Sequence, residues 1–249
     1  QEAQDKRNPL VERMRFLGIF SNNLDEFYRV RVASLRRMTT LNKKAKQDLN
    51  IDPKLLLTEI QKIVSDQQKI FEQTYLKLRA ECEENGIHII NETMLTDEQR
   101  KEVAEYFISN VRSALVPLML DNQRSLPRLR DKAIYLAIKL YGSKKNEILY
   151  SLIEVPSKSV SRFYVFKNNK PGENYIILLD DIIRANLKEI YSIFHVQRFE
   201  AFTIKFTRDA ELEIDDDISV SLLEQISISI QGRKSGAPVR FVYDKEMPA

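Results

Sequence analysis

Two adjacent asparagines, Asn22 and Asn23, interrupt an otherwise apolar helical pattern in the stretch FLGIFSNNLDEFYRVRVASL (residues 16–35). Ser21 precedes them, and Asp25 and Glu26 follow. A side-chain amide carries both a donor and an acceptor, so it can pair with the edge of a base, with a sugar, or with a neighbouring helix. Asn and Ser are poor interior helix residues because they compete with the backbone for hydrogen bonds. A buried amide left without a partner costs about 1–3 kcal/mol. The cluster therefore binds something or ties elements together. On the residues alone, capping or bridging of helices is the favoured role of Asn22 and Asn23, and Asn22, Asp25 and Glu26 read as structural hydrogen-bonding partners.

The same stretch opens a run of one charge sign. No acidic residue falls between Glu26 and Asp48, while Arg29, Arg31, Arg36, Arg37, Lys43, Lys44 and Lys46 all do. Such a run raises the local concentration of a polyanion and speeds its capture, and arginine adds forked donors to phosphate oxygens. A solvated helix face followed by a solvated loop is the plainer reading. Arg124, Arg128 and Arg130 form a weaker second cluster.

Other chemistries lack their residues. There is no GxxxxGK[ST] phosphate loop, and GRKSG at 232–236 has the wrong spacing and reads as a surface turn. His88 and His195 stand far apart, outside any metal-ligand spacing, and read as packing or surface residues. Asp215, Asp216 and Asp217, with Glu211 and Glu213, follow no calcium-loop pattern and read as an acidic loop or helix start. Cys82 has no base placed beside it. The chain has no tryptophan and no RNP-like or zinc-finger signature, which argues against a specific nucleic-acid partner.

Composition sets the frame for these residues. Hydrophobic residues at 43% and charged residues at 30% over 249 positions describe one or two globular domains with a substantial core. A net charge of +3 does not by itself demand a polyanionic partner. One cysteine excludes an intramolecular disulfide framework and fits a reducing, cytoplasmic compartment. No apolar run is long enough to span a bilayer, so peripheral association is the membrane role left open.

The elements that must position the cluster are legible in outline. Asn8 and Pro9 read as the N-cap and first residue of a helix, with Leu10, Met14, Leu17, Leu24, Phe27 and Val30 as its buried stripe. Thr39–Asn50 reads as a polar connection. Asp52-Pro53 starts a long second helix with Leu56, Ile60, Ile63, Ile70, Thr74 and Leu78 on one face, ending at Asn85-Gly86. Residues 1–86 thus read as an antiparallel helical domain. From Ile87 the pattern turns to α+β: a strand at IHII, a helix capped by Thr96 and Gln99, and a hairpin of AIYLAIKL and EILYSLIEV. Strands at VSRFYVF and YIILL, a helix at DDIIRANLKEIYSIF and an extended FEAFTIKFTRDAELEI follow. A helix at SVSLLEQISISIQGR and a closing strand at PVRFVYD complete a second domain over residues 87–249 with no sustained βαβ alternation.

The SNNLDEFYRVR run closely resembles the N-terminal domain of the bacterial polyphosphate kinase family. VRSALVPLML, SLIEVPSKSVSRF, IILLDDIIRANL, FTIKFTRDAELEI and PVRFVYDKEMP resemble, in order, that family's next or head domain. The resemblance implies a phosphotransferase that reversibly moves the ATP γ-phosphate onto inorganic polyphosphate through a phosphohistidine, with Mg²⁺ as cofactor. It implies ATP/ADP and polyphosphate as partners, a homo-oligomer formed through the head domain, and an ATP contact at Asn23. Polyphosphate steering would fall to Arg29, Arg31, Arg36 and Arg37. Relative to the family a short N-terminal piece and the C-terminal half are expected to be missing, and with them the phosphoacceptor histidine and the metal ligands. Catalytic and metal-binding residues are accordingly expected outside this chain, and the 249 residues alone are expected to be inactive. The rival expectation is a non-catalytic helical assembly module that makes no nucleotide contact.

Overall fold

The computed structural model describes residues 1–40, 52–120, 129–142, 148–167, 170–210 and 237–248. The chain forms two compact units. The first comprises Gln1–Glu81 with Arg130–Lys132 and Phe206–Phe241; the second comprises Cys82–Leu129, Ala133–Lys205 and Val242–Ala249. The first unit therefore takes in two short segments that a boundary at residue 86 would assign to the second.

Helix α1 (Leu10–Phe27) continues through one wider, π-type turn at Tyr28–Val32 into α2 (Ala33–Thr40). Its start lies one residue later than the sequence suggests. Pro9 has extended backbone (φ −56°, ψ 145°) and takes the N-cap place, while the Asn8 amide donates to the Glu2 carbonyl at 3.1 Å. The inward stripe also differs from a uniform helical period. Leu17 is buried and Leu10 and Met14 pack beside it, but Leu24 and Val30 are only half-buried and Phe27 is exposed. The π-type turn inserts an extra residue and shifts the phase beyond Tyr28, where Val32 and Ala33 are buried; Asp25, ahead of the turn, is buried on a different face of α1.

Helix α3 (Pro53–Glu84) begins as the sequence indicates, with Asp52 Oδ1 accepting from the Lys54 amide at 2.9 Å. Thr74 and Leu78 are buried, yet Ile63 and Ile70 are exposed, because Val64, Phe71 and Tyr75 turn inward instead. Arg13 is 6% exposed and joins α1 to α3 through Glu81, with Nη1–Oε2 at 2.5 Å. Helix α3 closes at Gly86, whose φ of +72° is the left-handed conformation that glycine adopts freely. A Cβ there would stand 2.1 Å from the Gly172 carbonyl oxygen.

In the second unit β1 (Ile87–Ile90) pairs in parallel with β6 (Asn174–Leu178), which pairs antiparallel with β5 (Phe163–Val165). A five-stranded sheet has the order β2 (Leu118–Leu120), β4 (Ile148–Glu154), β3 (Ile134–Gly142), β7 (Val196–Arg208), β8 (Pro238–Tyr243). The expected hairpin is present, with Leu136 opposite Ile153 and Leu140 opposite Leu149. Helix α4 (Asp97–Tyr106) carries the full Thr96–Gln99 capping box. The helix expected over DDIIRANLKEIYSIF is two short pieces, α5 (Leu179–Ala185) and α6 (Leu187–Ile190), with the Asn186 amide turned back onto the Ile182 carbonyl at 2.8 Å. Leu136, Ile138, Leu140, Ile153, Ile177, Leu179 and Ile183 form the core between these layers. The fold class is α+β. The expected helix at SVSLLEQISISIQGR lies outside the described residues.

Candidate functional site

The SNN cluster splits between two faces of α1. Asp25 is 2% exposed and turns inward, while Asn22 and Asn23 are exposed. A helix advances about 100° per residue, so Asn23 and Asp25 point to nearly opposite sides. Asp25 Oδ1 accepts from Arg240 Nη1 and lies 3.4 Å from Thr207 Oγ1. Arg240 also stands 5.4 Å from the Tyr28 ring centroid. Glu26 pairs with Lys132 at 3.1 Å. Asp25 and Glu26 are thus structural partners, as their residue types suggested, whereas Asn22, expected to be a third, stands exposed.

Asn23 faces a groove of about 310 Å³ within the first unit. Phe20, Asn23, Leu24 and Phe27 line it from α1; Ile60, Ile63, Val64 and Gln67 line it from α3. Each set has the i, i+3, i+4, i+7 spacing of a single helix face. The walls are aromatic and branched aliphatic, and the two polar contributors are both amides. Volume and lining fall within the range of small-molecule sites, roughly 300–1,000 Å³ with mostly apolar walls and a few polar groups.

The arginine run is largely committed. Arg37 pairs with Asp209 and donates to Ser34 Oγ at 3.0 Å. Arg29 lies 3.7 Å from Asp131. Arg36 is exposed and donates to the Pro238 carbonyl at 3.3 Å. Arg31 is exposed, with no ion-pair partner among the described residues. Lys43, Lys44, Lys46, Arg124, Arg128, GRKSG and the acidic stretch at 211–217 lie outside the described residues; Arg130 is exposed.

His88 pairs with Glu173 and stacks on Tyr175 at 4.5 Å, and Cys82 is buried. Among the described residues no group of three or more His, Cys, Asp or Glu could hold a metal ion. Nor is any described helix long and apolar enough to cross a membrane. Sequence reasoning missed Arg13, Gln67 and Arg240. Gln67 had a usable signal, its spacing from Ile60, Ile63 and Val64. Arg240 had none, since its carboxylate partner is 215 residues away.

This pairing of a SNN-bearing helical unit with a mixed-sheet unit matches one protein class. Residues 1–90 match the family model "Polyphosphate kinase N-terminal domain", and residues 98–249 match "Polyphosphate kinase middle domain". The chain belongs to the polyphosphate kinase family. It is 38% identical over 251 residues to a polyphosphate kinase of Yersinia pestis and 39% identical over 251 residues to that of Escherichia coli K12. All of this chain is covered in both comparisons, but only 36% of each relative, so it spans about a third of their length. The crystal structure of polyphosphate kinase from Porphyromonas gingivalis superposes with a TM-score of 0.78 at 26% identity, over 99% of this chain and 33% of that one.

Proposed function

We propose that these residues form the nucleotide-side wall and the assembly unit of a polyphosphate kinase, in which Asn23 contacts ATP from the α1–α3 groove. The enzyme carries the ATP γ-phosphate through a phosphohistidine to polyphosphate, and the histidine and the Mg²⁺ ligands lie outside this chain. The observation that supports the reading is the groove itself, which presents an exposed amide above aromatic walls. These residues bind and orient the base end of the nucleotide. In-line transfer also needs a nucleophile and stabilisation of the phosphoryl charge, so they do not turn over alone. Steering of polyphosphate falls to Arg31 and Arg36, the exposed arginines of the run among the described residues, rather than to Arg29 and Arg37.

In the full-length protein, Asn23→Ala is expected to raise the ATP KM roughly tenfold, the effect of losing about 1.4 kcal/mol of binding, with the melting temperature unchanged. An unchanged KM with a lowered melting temperature would instead favour the purely structural assembly module. Homo-oligomerisation through the second unit belongs to the same proposal. It is supported by Leu118, Ile148 and Tyr150, which stand exposed on one face of β2 and β4.

A further inference from the structure

The groove holds a second amide that the reading above does not use. Arg13 meets Glu81 and, further along α1, Phe20 meets Phe71 with ring centroids 5.8 Å apart. Higher positions on α1 thus meet lower positions on α3, and the two helices run antiparallel. Moving three or four residues beyond Phe20, to Asn23 and Leu24, matches moving the same distance back from Phe71, to Gln68 and Gln67. Of these two glutamines it is Gln67 that lines the groove. Asn23 and Gln67 therefore stand at one level on opposite walls, and the other six lining residues carry no polar side-chain atom.

We propose that Gln67 is a specificity-determining residue, the partner of Asn23 in a pair of amides that selects an adenine edge over a guanine edge. An amide offers one acceptor and one donor side by side. On the Hoogsteen edge adenine presents their complement, an N6 donor beside an N7 acceptor, whereas the same edge of guanine presents two acceptors, O6 and N7. The guanine Hoogsteen edge therefore suits an arginine fork, and none lines this groove. The flat apolar walls of Phe20, Leu24, Phe27 and Val64 supply sandwiching contact that either purine accepts, so selection falls to the amides. This inference rests on the nucleotide reading of the groove.

The test is calorimetric titration of the full-length protein with ATP and, separately, with GTP. Gln67→Leu keeps a good helix former at an exposed position and removes only the amide. It is expected to weaken ATP binding roughly five- to tenfold and leave GTP binding unchanged, the scale of one or two lost hydrogen bonds. An ATP/GTP ratio left unchanged by Gln67→Leu, while Asn23→Ala still weakens ATP, would overturn the role of Gln67 and leave that of Asn23 standing. ATP affinity unmoved by both Asn23→Ala and Gln67→Leu would remove the nucleotide from the groove altogether.

Discussion

Each unit buries a charged network on strand β7, and the two networks solve the same problem differently. In the first unit one carboxylate, Asp25, faces one guanidinium, Arg240, with the Thr207 hydroxyl beside it. In the second, three carboxylates share two guanidiniums. Arg184 lies 2.6 Å from Asp181, 3.0 Å from Asp244 and 3.7 Å from Asp180, and Arg162 is 3.1 Å from Asp180. Asp244 also accepts from the Thr203 amide at 2.6 Å. In the contacts described, the first network sets one carboxylate against one guanidinium and the second sets three against two. Burial, then the adjacent Asp180 charge, push the Asp181 carboxyl up to about 7 against the stabilising Arg184. The excess charge is thus relieved by a proton. A matched pair fixes a direction, here that of α1 and hence of Asn23, while an unmatched cluster couples its fold to pH.

The largest effects come from removing each guanidinium. Arg240→Met takes the guanidinium away from Asp25, and Arg184→Met takes it from Asp181 and Asp244 while Arg162 still faces Asp180; breaking a buried pair in this way costs about 3–5 kcal/mol. Urea unfolding should show the loss in both. The comparison predicts a different rescue for each. Asp25→Leu added to Arg240→Met should recover most of the stability, because both members of the pair are then gone. Asp181→Leu added to Arg184→Met should recover only part, because Asp244 also loses Arg184 and Asp180 is left with Arg162 alone. Equal rescue in the two units would break the distinction.

The pH response is the next largest. Folded Asp181 keeps its proton to about pH 7, whereas the unfolded chain releases it near the ordinary value of 3.8. Between those values the folded state holds more protons than the unfolded one, so stability falls as pH rises from about 4 to 7 and levels off above. The slope is at most about 1.4 kcal/mol per pH unit. Asp181→Asn should flatten this window, since an amide still accepts from Arg184 and cannot titrate. A slope that survives Asp181→Asn would place the excess proton elsewhere.

How much of this was legible beforehand follows from the range of the interactions involved. Short-range signals read well: Asp52 and Thr96 as caps, Gly86 as a stop, and the β3–β4 hairpin. What failed depended on phase or on distance. The π-type turn at Tyr28–Val32 carries no residue signature, so beyond it the inward positions fall at Val32 and Ala33 rather than at Val30, while Leu24 and Phe27 line a groove instead of a closed core. The arginines of the run looked equivalent because their carboxylates, Asp131 and Asp209, lie more than a hundred residues downstream. The groove was half visible: Asn23 stood out as a polar break, while Gln67 sat unnoticed on a helix face where exposed glutamine is ordinary.

The smallest effect is the sharpest test of the comparison, because it uses one strand and one substitution. Thr203 and Thr207 both belong to β7, four residues apart, and each places its hydroxyl in one of the two networks. Thr207 Oγ1 makes one long contact, 3.4 Å, to a carboxylate already held by Arg240. Thr203 Oγ1 accepts from Arg184 and lies 3.4 Å from Asp180, so it links a donor to the crowded carboxylates. Valine keeps the shape of threonine and deletes the hydroxyl. Thr207→Val should cost about 0.5 kcal/mol and Thr203→Val about 1.5 kcal/mol, the lower and upper ends of the usual contribution of a hydrogen bond. The difference should also narrow at pH 5, where the proton on Asp181 removes the excess charge that makes the Thr203 link valuable. Paired unfolding curves at pH 5 and pH 8 read both numbers, and a Thr207→Val cost equal to or above that of Thr203→Val would show that charge matching does not decide how much each hydroxyl contributes.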